Sequence, residues 1–163
     1  MKRLLLATLL FTLFLPVKVI ADHKPTIDDI SIQVSDDLIP LLDLLKEKGF
    51  NIKFETPPRK GVYGLFQSKN KTIWISPISF ELGIGRQTIL HEATHAVQSC
   101  PYGLLTPIGW KLSISPFIKN EVQAILLKSY NSSQYLIEEE AFSLQGQRNG
   151  VDLLLKALEQ RCK

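Results

Sequence analysis

Two of the three histidines in the chain stand four residues apart, in His91-Glu92-Ala93-Thr94-His95. On a helix, residues i and i+4 are neighbours on one face, so both imidazoles can reach one metal ion. Glu92 lies about 100° round the helix from His91 and about 60° from His95. It flanks the pair and can face a water that the metal activates. A purely structural metal site has no use for an acid there, whereas a hydrolytic one needs a base beside the water. Ile89, Ala93, Ala96 and Val97 form the apolar stripe that would bury this helix and set both histidines at the edge of a core.

The motif His91-Glu92-x-x-His95, on a helix that follows a short sheet, resembles the zincin metallopeptidases. Zincins complete the site with a third ligand. No histidine follows His95, so the metzincin form with a third His is absent. Gluzincins use a glutamate on a later helix, in Glu-x-x-Ala or Glu-x-x-Ser, usually followed by Asp. Glu121-Val122-Gln123-Ala124 and Glu138-Glu139-Glu140-Ala141 both match the shorter pattern, with Ile125 and Phe142 where the Asp would stand.

Helix geometry separates the two glutamates. At about 100° per residue, Glu138 falls inside an apolar arc made by Tyr135, Ile137, Ala141, Phe142 and Leu144. Glu139 and Glu140 fall on the other side, as a solvated acidic face. An ionised carboxylate on a buried face is costly unless something pairs with it, and a metal would. Glu121 sits at the boundary of its own arc, with Lys128 on the same helix to neutralise it. Glu138 is the expected third ligand and Glu121 the alternative.

The resemblance implies an exported zinc metallopeptidase that acts on a peptide or protein substrate. One zinc ion would be held by His91, His95 and Glu138, with Glu92 as general base. These ligands suit zinc and would also accept other divalent ions. By analogy with the family, an extended substrate would pair with an edge strand at Lys71–Ser76. A different class of function is an exported zinc-containing binding module without turnover, touching a partner protein through the turn-rich segment 101–115. Glu92 argues against it, since structure alone needs no base there.

Other chemistry-bearing residues point to less. Gly83 and Gly85 read as a loop, not a phosphate cradle, because no strand-to-helix dinucleotide pattern surrounds them. The serines and cysteines have no separate histidine to activate them. His23 stands beside the expected cleavage site. Tyr102, Tyr130 and Tyr135 are candidate oxyanion donors but read first as core residues, and Arg86 and Arg148 read as surface residues. Trp74 would pack on, or border, a cleft.

The elements that must position these groups follow from pattern. Ser35-Asp36-Asp37 precedes an apolar-periodic stretch from Leu38 to Lys48 that stops at Gly49. Asn51–Glu55 reads as a short strand, broken by Pro57-Pro58. Val62–Gln67 and Lys71–Ser76 read as strands joined at hairpin spacing. Helices are expected over about 86–99, 116–130, 134–147 and 151–161, the second opened by Ser115-Pro116. This order gives an α+β class: a small zincin-like domain, with a short twisted sheet on the metal-binding helix and helices following it.

The 163 residues suit one domain, spanning 22–163, behind a targeting segment. Lys2-Arg3, the apolar run from Leu4 to Pro16, and Val19-Ile20-Ala21 before a cut form the three-part pattern of a signal peptide over 1–21. A membrane span wants about 20 apolar residues, and Pro16 and Lys18 break this run first, so no stable membrane insertion is expected after cleavage. Export permits a disulfide between Cys100 and Cys162, the two cysteines of the chain. The formal charge of +3 resides wholly in Lys2, Arg3 and Lys18; the remainder is balanced. Nothing in that balance argues for binding to nucleic acid or anionic lipid.

Overall fold

The computed structural model describes residues 34–114, 116–129 and 134–163, without the side chains of 117, 118, 121 and 129. The expected signal peptide, His23, Tyr130 and the carboxylate of Glu121 lie outside what is described.

A 3-10 turn, Asp36–Leu38, leads into α1, Ile39–Glu47, whose first turn accommodates Pro40. Ser35 hydrogen-bonds the Asp37 side chain and makes no capping bond to the helix backbone. Leu38, Leu41 and Leu45 are buried along one face. The helix stops where Gly49 takes φ +84°. Gly49 N–H then reaches the Lys46 carbonyl, and Phe50 N–H the Leu45 carbonyl, so the last orphan carbonyls are paired.

Three short strands follow: β1, Asn51–Lys53; β2, Gly64–Gln67; and β3, Thr72–Ile75. β2 and β3 form the expected antiparallel hairpin, with Gly64 opposite Ile75 and Gln67 opposite Thr72. A 3-10 turn, Ser68–Asn70, and Lys71 at φ +48° close it. β1 pairs parallel to β3, so the order is β1-β3-β2. This corrects the expectation that Lys71–Ser76 is an edge. β3 is the central strand, with Thr72 and Ser76 buried beside Ile73 and Ile75. The open edge of the hairpin is β2.

A one-turn helix, α2, Ile78–Glu81, was too short to leave a periodic signature. The longer helices are α3, Gly85–Gln98; α4, Pro116–Ser129; α5, Tyr135–Gln145; and α6, Gly150–Arg161. α3 is the axis of the domain. It meets β2 and β3 on one side and α5 and α6 on the other, while α1 packs on α6 and β1. Ile89, Leu90, Ala93, Ala96 and Val97 join Ile75, Leu144, Leu154 and Leu158 in one core. The α+β class is the one expected.

Cys100, just past α3, is bonded to Cys162, just past α6. In the loop-closure account a link across 62 residues contributes about 4 kcal/mol. Arg161 adds hydrogen bonds to the carbonyls of Cys100 and Pro107 and to Thr106 Oγ1. The chain leaving α3 is thereby fixed to the end of α6.

Candidate metal centre

α3 carries His91, Glu92 and His95, and α5 lies against it and brings Glu138. His91 Nε2 and His95 Nε2 are 3.1 Å apart. Glu138 Oε2 lies 3.4 Å from the first and 3.5 Å from the second. Donors held about 2.0–2.2 Å from one ion at tetrahedral angles stand about 3.3–3.6 Å from each other. The two spacings to Glu138 fall in that range, and the 3.1 Å between the two imidazole nitrogens lies just below it. Glu138 Oε2 is buried and has no hydrogen-bond partner among the described residues, which is costly without a cation to face it. These three residues could hold a metal ion.

The ring nitrogens facing away from the cluster are also occupied. His91 Nδ1 is 3.0 Å from Gln145 Oε1, and His95 Nδ1 is 2.8 Å from Gln98 Oε1. An amide oxygen accepts, so each Nδ1 donates and each Nε2 keeps its lone pair for a ligand bond. Phe142, where the gluzincin pattern has Asp, packs edge-on against the His91 ring at 4.7 Å between centroids. Gln145, one turn further along α5, supplies the polar contact instead.

Charge follows the same geometry. In the metal-free chain, burial would raise the Glu138 carboxyl, but His91 and His95, when protonated toward it, hold it down at about 2. Burial opposes protonation of His95, yet Glu138 and Glu92 together push it upward. Glu92 is raised, first by burial and then by Glu138, although His91 and His95 oppose the shift.

Glu92 lies between the His91–His95–Glu138 group and the sheet. A cleft of about 230 Å³ has His91, Glu92, His95 and Glu138 on its lining, together with Gly64 and Phe66 of β2. A larger cavity of about 430 Å³, against Trp110 and Ile114, is lined by none of His91, His95 and Glu138. Ser76 N–H donates to the Tyr63 carbonyl, so alternate residues Leu65 and Gln67 also turn their backbones toward β3. Gly64 and Phe66 therefore turn theirs to the open edge, where the Phe66 amide favours the charged form of Glu92.

Gly64 is a residue of the cleft that no motif or pattern singles out. A Cβ there would lie 2.5 Å from Glu92 Oε1 and 2.7 Å from both Glu92 Cγ and Thr88 Cγ2. Only glycine lets β2 approach α3 this closely. Gly64→Ala is expected to displace Glu92 and lower any peptide turnover by about 10–100-fold. Zinc affinity should stay within about threefold, since no ligand moves directly. Steady-state kinetics alongside chelator competition will separate the two effects.

Glu140 requires a correction. It is not on a solvated face but buried at 8% exposure, accepting from the backbone N–H groups of Ile108, Gly109 and Trp110 and from Gln98 Nε2. It anchors the segment between α3 and α4 that sequence reading treats as turn-rich. Glu139 is half-buried. Tyr102 is 88% exposed, which excludes it from a core. Trp74 is half-buried on the central strand, with Lys53 Nζ 6.0 Å from its ring centroid. Arg86 pairs with Asp37 at 3.2 Å. No family model, curated protein or solved structure matches this chain.

Proposed function

We propose that this protein is an exported zinc-dependent hydrolase of peptide bonds with Glu92 as its general base. The observation that supports this most is a buried acid sharing one cleft with a three-donor cluster. Two imidazole nitrogens and a carboxylate oxygen suit zinc and leave the fourth tetrahedral position open. When bound, the ion supplies Lewis acidity, polarising a carbonyl and making water more acidic.

The chain's own residues bind, orient and move the proton. Gln145 and Gln98 orient His91 and His95 so that both Nε2 atoms face the centre. Glu92 takes a proton from water on a carboxylate oxygen and returns it to the departing amine nitrogen. Burial suits that task, because it moves the carboxyl toward the pH at which it can both accept and release a proton. The open edge of β2 offers the Gly64 backbone and the Phe66 carbonyl to an extended peptide, placing its chain across the cleft. The ligand set is that of the gluzincins, with Phe142 as the departure.

Export is supported by the Cys100–Cys162 disulfide and by the charged start and apolar run of the first 21 residues. Among the described residues no helix is long and apolar enough to cross a membrane. A zinc-carrying module without turnover accounts for the ligands but gives Glu92 no task. Stripping zinc with a chelator should abolish cleavage of a peptide mixture, and one equivalent of zinc should restore it. Full cleavage by zinc-free protein would contradict the proposal. Absence of cleavage by the zinc-loaded chain would favour the binding module.

A further inference from the structure

We propose that Glu140, which touches neither the metal cluster nor the cleft-facing atoms of its ligands, is a positioning residue for the centre: through Gln98 it fixes which ring nitrogen of His95 carries the proton. This rests on the metal reading above and concerns how the chain prepares one ligand.

The chain of contacts runs in one direction. Glu140 Oε1 accepts from Gly109 N–H at 2.6 Å and Trp110 N–H at 3.1 Å. Its Oε2 accepts from Ile108 N–H at 2.7 Å and Gln98 Nε2 at 3.0 Å. Each of these partners is a donor. The Gln98 amide, fully buried, also donates to the Ile137 carbonyl at 2.9 Å. Both neighbours of its nitrogen can only accept, so the amide has one orientation that satisfies it. That orientation turns Oε1 to His95 Nδ1 at 2.8 Å. His95 must then be protonated on Nδ1, leaving Nε2 bare, 3.1 Å from His91 Nε2 and 3.5 Å from Glu138 Oε2.

The opposite flip of Gln98 would set its oxygen against a carboxylate and a carbonyl and lose both hydrogen bonds. It would also aim an NH₂ group at Nδ1, placing the imidazole proton on Nε2, where it would block the ligand atom. Glu140 thus does for His95 at one remove what Gln145 does for His91 directly. It also joins the backbone of 108–110 to the metal centre, so that the loop and the ligand are held by the same carboxylate.

The test uses the full disulfide-bonded chain. In zinc-free wild type, imidazole ¹⁵N chemical shifts should place the His95 proton on Nδ1. A neutral ring with its single proton on Nε2 would overturn the proposal with no variant needed. Glu140→Gln introduces an NH₂ group among four donors, and should lower zinc affinity by about 10–100-fold, the usual scale for contacts behind a ligand. Gln98→Glu alone opposes two carboxylates and should also weaken binding. Combined, Gln98→Glu with Glu140→Gln gives position 98 a group that can only accept from His95, and position 140 a group that can donate to it. The carboxylate at position 98 still faces the Ile137 carbonyl and the amide at position 140 still faces the Ile108 N–H, so wild-type affinity does not return. The double variant should nevertheless bind zinc at least about threefold more tightly than additive losses give, a non-additivity that a merely structural role for Glu140 would not produce. Additive losses in the double variant, or an unchanged affinity in Glu140→Gln, would overturn the proposal. A wild-type chain with the Nδ1 proton that takes up no zinc would contradict the metal reading instead, so the two failures are distinguishable.

Discussion

Glu92→Gln should keep both zinc and fold while lowering peptide turnover by at least about 100-fold, the scale of a lost general base. Gln has nearly the same shape, and Glu92 is not among the three converging donors. The substitution therefore leaves the ligand set and the packing beside Gly64 in place. What it removes is an oxygen that can hold a proton between water and the leaving amine. Initial rates and zinc content measured on the same preparation decide the matter. Unchanged turnover at full zinc loading would remove Glu92 from the mechanism and leave its burial at 6% exposure without a functional reason.

Glu138→Ala should have the largest effect on metal affinity of any single change on α5. It deletes one of three donors, so the loss should exceed the roughly 10–100-fold typical of residues behind the ligands. Because metal binding is coupled to folding, the zinc-dependent rise in melting temperature should also shrink. Glu139→Ala is the silent control, expected within about threefold of wild type. Glu140→Ala is not a silent control, since it strips three backbone amides and Gln98 of their acceptor. Glu121→Ala should leave affinity unchanged if Glu138 is the ligand. Zinc competition with a coloured chelator ranks all four. A large loss in Glu121→Ala with none in Glu138→Ala would reverse the assignment.

The grouping of His91, His95 and Glu138 was readable because its signal is local. His91 and His95 share a helical face by spacing alone, and Glu138 stands out as a charge within an apolar arc. The hairpin was likewise set by two short runs and the turn between them. Glu140 was misplaced for the converse reason. An arc drawn from one helix identifies the apolar side but does not know what covers the other side, and here the amides of 108–110 do. The central position of β3 depends on a parallel pairing with β1, about twenty residues earlier and only three residues long. Gly64 owes its role to a close approach of β2 to α3, a property of two elements together. Gln98 was within reach, since it follows His95 by three residues on one face, but its meaning depends on Glu140 across the helix pair.

The central claim is that His91, His95 and Glu138 form one zinc site beside a working base. The most direct measurement is elemental zinc per chain after equilibration with zinc and removal of the excess, for wild type and for His91→Ala with His95→Ala. One zinc per wild-type chain and none in the double variant are expected, with both proteins retaining the Cys100–Cys162 bridge. Zinc-free wild type, or equal zinc in both proteins, would contradict it.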